Sequence, residues 1–91
     1  MKAGQSIIVK GRVQGVFFRA STMVEAQKRG IRGWVKNLSD GTVAIEVFGD
    51  FHLLNELVQW CKVGPDSAVV EEVFVSEIVY QQLDRFETRH D

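Results

Sequence analysis

With a single cysteine, Cys61, the chain cannot close an internal disulfide, so a buried core must stabilise it and a reducing, cytoplasmic setting is expected. Its single proline, Pro65, leaves no material for a Pro-rich linker. No apolar run approaches the ~18 residues that a membrane-spanning helix needs. Met1 to Gln5 lead straight into a short apolar run, with no signal-peptide-like region behind it. An excess of one charge is missing too, because 11 Lys and Arg against 12 Asp and Glu leave a net charge of −1. Nothing here invites nucleic acid or an anionic membrane wholesale. The spacings that gather metal ions, HxxxH, DxD clusters and CxxC pairs, do not occur. No metal and no cofactor is expected.

What is present is apolar patterning. The 91 residues, 45% of them hydrophobic, suit one domain spanning residues 1–91. Such a chain should bury roughly 60–65% of its unfolded surface. Residues 5–10, QSIIVK, are rich in β-branched residues and too short for a helix, which predicts a mostly buried first strand. From Ser21 to Arg29 helix formers dominate, with Ala20, Met23 and Val24 at i, i+3 and i+4 as the apolar face and Gly30 as the stop. Ile31, Gly33, Val35 and Asn37 share one parity of a second strand. The turn Ser39-Asp40-Gly41 has hairpin chemistry, with Asp40 tolerating the left-handed region and Gly41 supplying positive φ ahead of a third strand from Thr42 to Val47. Leu54, Leu57, Val58 and Cys61 recur at helical spacing behind an N-cap at Asp50 and before a stop at Gly64-Pro65. A β-rich run from Ala68 to Tyr80 breaks its parity between Val70 and Val73, which predicts a bulge or a bend. Residues 86–90 offer a short edge strand. The order βαββαβ predicts an α+β split βαβ sandwich, with both helices on one face of the sheet.

That topology brings two distant stretches together. In a right-handed βαβ crossover the first two strands run parallel, so their C-terminal ends share one sheet edge. The stretch GRVQGVFFR at 11–19 follows the first strand, and Lys36-Asn37 end the second. Gly11 and Gly15 relax the limits on φ, so that successive N–H groups can form a concave anion nest, to which the following helix adds its N-terminal donors. Arg19 then sits at a helix N-terminus, where a cation is unfavourable by roughly 0.3–1 kcal/mol unless an anion reverses the sign. A guanidinium can grip two phosphate oxygens at once. Asn37 is a β-depleted amide at a strand end, able to hold a water without competing for the phosphate's charge. Taken alone, Arg19 is equally a solvated residue beside turn glycines, and Asn37 an Asx-type residue opening the hairpin.

Together GRVQGVFFR at 11–19, GWVKN at 33–37, DGTV at 40–43, and WC followed by GP at 60–65 resemble the acylphosphatase family in residues and in spacing, over nearly the whole chain. The resemblance implies a ferredoxin-like sandwich, with helices on one face of a mainly antiparallel four- to five-stranded sheet. It implies hydrolysis of the carboxyl-phosphate anhydride of acyl phosphates without a metal or a covalent intermediate. By that resemblance the backbone amides of Gln14, Gly15, Val16, Phe17, Phe18 and Arg19, with the Arg19 side chain, bind the phosphate, and Asn37 positions the attacking water. The expected partner is a small acyl phosphate, with inorganic phosphate or sulfate as a competing anion. Nucleic acid and membrane are not expected partners, and the chain should act as a monomer. Two departures stand out: Phe17 occupies a place where relatives often carry glycine, and the tail reads FETRH rather than an ending like FEIRY.

The remaining residues fit this chemistry. An acyl phosphate already carries a carboxylate leaving group, so positioning and charge stabilisation suffice where a phosphate monoester would call for a metal or an activated nucleophile. Cys61 lies on the apolar helix face and reads as core. His52 and His90 lack partners at any catalytic spacing and are assigned no role. Trp34 and Trp60 read as packing residues, and Arg12, Arg32 and Lys36 as a solvated strand face. An RNA-binding module of the same order would need stacking aromatics where the chain has Ile7-Ile8-Val9 and Val43-Ala44-Ile45. A copper carrier would need a CxxC pair. A regulatory anion-binding domain shares the nest, and Asn37 is what separates an enzyme from it. The missing ligand clusters generate the first prediction: turnover of benzoyl phosphate should survive excess chelator, and activity that disappears and returns with Mg²⁺ or Zn²⁺ would refute the proposed chemistry.

Overall fold

The computed structural model describes residues 1–90. In chain order the elements are β1 (Lys2–Arg12), α1 (Phe18–Lys28), β2 (Arg32–Asn37), β3 (Val43–Asp50), α2 (Phe51–Cys61), β4 (Val69–Ile78) and β5 (Phe86–Arg89). They form a five-stranded sheet in the order β4-β1-β3-β2-β5. β3 pairs antiparallel with both β1 and β2, so those two strands run in the same direction, and β5 joins β2 in parallel. The α+β ferredoxin-like class read from the sequence is the observed one.

Alternation drives the core. Ile7 and Val9 of β1, Val35 of β2, and Val43, Ile45 and Val47 of β3 are fully buried and meet Leu54, Leu57 and Cys61 of α2. Burying a side chain of this kind is worth about 1.5–3 kcal/mol, so these residues supply most of the drive to fold. The central strands run further than the apolar pattern suggests, because antiparallel pairing from Lys2↔Asp50 to Val9↔Val43 takes in polar residues that the ladder stabilises whatever their side chains.

Helix α1 departs from expectation. Its buried residues are Phe18, Thr22 and Ala26, while Ala20 and Val24 lie exposed and Met23 is only partly buried. Phe18 decides this rotation by packing against Trp60, with ring centroids 5.4 Å apart. Thr22 can then face the core because its hydroxyl donates to the Phe18 carbonyl at 2.8 Å. An apolar count misses a polar residue satisfied within its own helix. The helix ends as expected at Gly30, where the amides of Gly30 and Ile31 donate to the carbonyls of Gln27 and Ala26 in a Schellman arrangement.

Two turn readings are corrected in the same way. Asp40 does not take the left-handed conformation, since Phe17 is the non-glycine residue with positive φ among the described residues. Its carboxylate instead accepts from the Thr42 amide and hydroxyl at 3.0 and 2.6 Å, closing an Asx turn. Those bonds hold the Asp40 carboxyl below its usual range. Gly11 does not belong to the nest. It lies in β1 at the predicted bulge, where Lys10 pairs with Glu72 and Gly11 with Val70, leaving Glu71 as the extra residue.

A Cβ on Gly11 would stand 2.2 Å from the Val69 carbonyl at φ +136°, whereas a Cβ on Gly30 at φ +64° would meet nothing within 4 Å. Gly11→Ala should therefore destabilise the fold by about 3 kcal/mol or more, and Gly30→Ala by about 1–2 kcal/mol. Urea unfolding of the two variants checks this, and equal losses would refute the backbone contact as the cause.

Candidate active site

The two helices begin differently. At α2, Asp50 accepts from the His52 amide at 2.9 Å as a side-chain N-cap, and its carboxyl is held below its usual range by that bond. At α1 the N-cap position is Phe17, which makes no side-chain cap bond, and the first turn carries no acidic residue. Among the described residues no loop or side-chain acceptor takes the amides from Gln14 to Arg19. The N-terminal donors and positive dipole end of α1 thus remain available to an anion.

The loop ahead of α1 has the backbone of a nest. Gly15 at φ +72° and Phe17 at φ +64° flank Val16, whose φ is negative, so handedness alternates along three residues. Left-handed backbone is unfavourable by about 1–2 kcal/mol for a residue with a side chain, and Phe17 bears it while 78% exposed. Glycine in the corresponding place would relieve that strain. Val13, Val16 and Phe18 are buried and hold the loop in this shape from either side.

Asn37 reaches the loop through the sheet. Val43 of β3 pairs with Val9 on one side and with Asn37 on the other, so Asn37 ends β2 beside the point where β1 runs into the loop. A side chain that the sequence reading left unused completes the join. The Gln14 amide nitrogen donates to the carbonyls of Leu38 and Thr42 at 2.8 and 2.9 Å, tying the loop to the β2–β3 hairpin. Gln14 was singled out only for its backbone amide. Nothing in its local sequence reports a contact across 24 and 28 residues. Asn37 Oδ1 is buried and finds no protein donor.

Arg19, in the first turn of α1, faces the same place. Its Nη1 donates to the Arg89 carbonyl at 3.4 Å and lies 2.9 Å from Nδ1 of His90. Arg19, Asn37 and His90 border both lobes of one cleft. One lobe, of about 400 Å³, is walled by Gly15, Phe17 and Phe18. The other, of about 560 Å³, is walled by Leu38, Ser39 and Asp40. Volumes of this order suit a small ligand. His90, assigned no role from the sequence, lies at this cleft beside Arg19. β5 pairs in parallel with β2 and carries it to the cleft, a placement that no spacing along the chain could disclose. His52 stays at the start of α2.

Other candidates fall away from the cleft. Trp60 packs on Phe18. Trp34 lies under the Arg89 guanidinium at 5.0 Å and the Lys36 ammonium at 5.6 Å, outside the core cluster. Arg32 donates to the Leu83 carbonyl at 2.9 Å, which fixes the connection into β5. No three His, Cys, Asp or Glu side chains gather among the described residues.

A family model for acylphosphatase matches residues 5–88. The chain belongs to the acylphosphatase family. An acylphosphatase of Marinobacter nauticus is 45% identical over 85 residues, covering 92% of each chain. A solved acylphosphatase of Coxiella burnetii superposes with a TM-score of 0.93 at 38% identity, over 97% of this chain and 93% of that one. The Bacillus subtilis acylphosphatase does so with a TM-score of 0.89 at 39% identity, over 99% and 100%. Family and relatives together support an acylphosphatase enzyme.

In this acylphosphatase fold Cys61 is no nucleophile. It is fully buried among apolar side chains, and burial pushes its thiol up to about 12. The folded state therefore holds the thiol proton to higher pH than the unfolded chain, so this contribution to stability is complete below about pH 8.5 and is lost as pH rises toward about 12. The native protein should leave Ellman's reagent unreacted near neutral pH and react once unfolded. Wild type should also lose stability relative to Cys61→Val as pH climbs through that window. Rapid labelling of the native thiol would refute its burial.

Proposed function

We propose that the chain hydrolyses small acyl phosphates to a carboxylate and inorganic phosphate without a metal, by in-line attack of a water. The observation that carries this reading is the uncapped N-terminus of α1, which meets Arg19 and Asn37 at a single cleft. The amides of Gln14, Gly15, Val16, Phe17, Phe18 and Arg19 cradle the phosphate oxygens, and the Arg19 guanidinium neutralises them through charge-assisted bonds. Asn37 holds the attacking water with its side-chain amide.

The energetics suit such spare machinery. The leaving carboxylate is a weak base, so the site needs only to hold the reactants in line and stabilise charge on the equatorial oxygens. The water's proton passes to the phosphate. Inorganic phosphate or sulfate competes for the same donors. Residues 1–91 act as one domain and as a monomer, in a reducing cytoplasmic setting that suits the lone buried thiol.

If Arg19 binds phosphate in both ground and transition states while Asn37 acts on the water, their alanine variants should fail differently. Arg19→Ala should lose turnover and phosphate binding together. Asn37→Ala should lose kcat by about 10²–10³, as when one preorganised donor is removed, yet still bind inorganic phosphate. An anion that binds only the folded state adds about 1.4 kcal/mol at ten times Kd, which shifts Tm by roughly 6–11 °C in a domain this small. Wild type and Asn37→Ala should melt higher in phosphate than in chloride of equal ionic strength, and Arg19→Ala should not. An equal shift in all three would place the anion elsewhere.

A further inference from the structure

Arg19 has a long, rotamer-rich side chain at the N-terminal end of a helix, where the dipole opposes its charge. Among the described residues no carboxylate pairs with it, and the acceptors that hold it both come from the end of β5. They are the Arg89 carbonyl at 3.4 Å and the His90 ring at 2.9 Å, and both meet the same nitrogen, Nη1. The edge formed by Nε and Nη2 is left for two phosphate oxygens. His90 arrives there through the ladder: Arg89 pairs with Lys36, so the next residue falls level with Asn37. It also stands two residues beyond the segment, 5–88, that matches the family model.

A guanidinium only donates, so at 2.9 Å the imidazole Nδ1 must accept, and the ring proton must sit on Nε2. We infer that neutral His90 is a positioning residue, whose Nδ1 holds the Arg19 guanidinium in its phosphate-gripping orientation and whose protonation at Nδ1 releases it. The inference rests on the assignment of Arg19 to the phosphate. A proton on Nδ1 would set donor against donor and place two cations side by side. Among the described residues, the charged groups that line this lobe of the cleft with His90 are Arg19 from α1, Arg89 before it on β5, and Asp40 of the hairpin. Acidification through the range where imidazoles take up a proton, about pH 5–8, then withdraws Arg19 from service.

Asparagine separates the positioning role from mere occupancy, because its side-chain oxygen can accept from Nη1 and does not titrate. The experiment measures kcat/KM for benzoyl phosphate, and inhibition by inorganic phosphate, in wild type, His90→Ala, His90→Asn and Arg19→Ala across about pH 5–8. At the upper end His90→Ala should fall about tenfold in kcat/KM, with phosphate inhibition weakened by a similar factor, as expected for one hydrogen bond to a charged group. His90→Asn should recover most of that loss. On acidification wild type should decline several-fold more steeply than His90→Asn, whose profile then reports the shared substrate alone. Any of three outcomes overturns the inference: His90→Ala equal to wild type at every pH, His90→Asn as impaired as His90→Ala, or identical acid profiles for wild type and His90→Asn. Full activity in Arg19→Ala would instead overturn the reading of the phosphate site on which the inference rests. Because His90 is exposed, His90→Ala and His90→Asn should share the wild-type melting temperature in chloride.

Discussion

Val43 pairs with Val9 across one ladder and with Asn37 across the other, and the geometry of the cleft follows from that double pairing. With β3 antiparallel to both neighbours, β1 and β2 must run the same way and end at one edge. The chain leaves β1 as the nest and leaves β2 as the hairpin, so two segments far apart in sequence open side by side. Gln14 then bridges them with two hydrogen bonds. Removing the central strand from this arrangement would leave the loop and Asn37 with no reason to meet.

The site also depends on an interaction that the protein withholds. A carboxylate at the start of α1 would complete a capped helix, as Asp50 does at α2. α1 instead begins with a strained Phe17, no acid and an arginine. Each choice is locally unfavourable by about 1 kcal/mol, and all three leave donors and positive charge facing one cleft. Local rules that fail together at one helix terminus are the physical mark of a site prepared for an anion.

Much of this could be read from residues. The β-branched run at 5–10, the i, i+3, i+4, i+7 series of α2, the Asp50 cap and the parity break between Val70 and Val73 each reflect near-neighbour geometry, and each stands where the pattern puts it. The face of α1 was misread because Thr22 satisfies its hydroxyl on the Phe18 carbonyl and so behaves as an apolar residue. Gly11 was misplaced because a glycine required by close strand approach looks, in sequence, like a glycine required by a turn.

The sequence by itself determined the α+β class and the stretch GRVQGVFFR with its arginine at a helix start, because strand parity, helical period and turn chemistry act over a few residues, and its motifs carried the resemblance to the family. Only the tertiary structure decided that Gln14 grips the hairpin and that His90 touches Arg19. Those contacts cross 24 to 71 residues of chain. They exist because ladder register, set by pairing and core packing across the whole sheet, brings the ends of β1, β2 and β5 to one place.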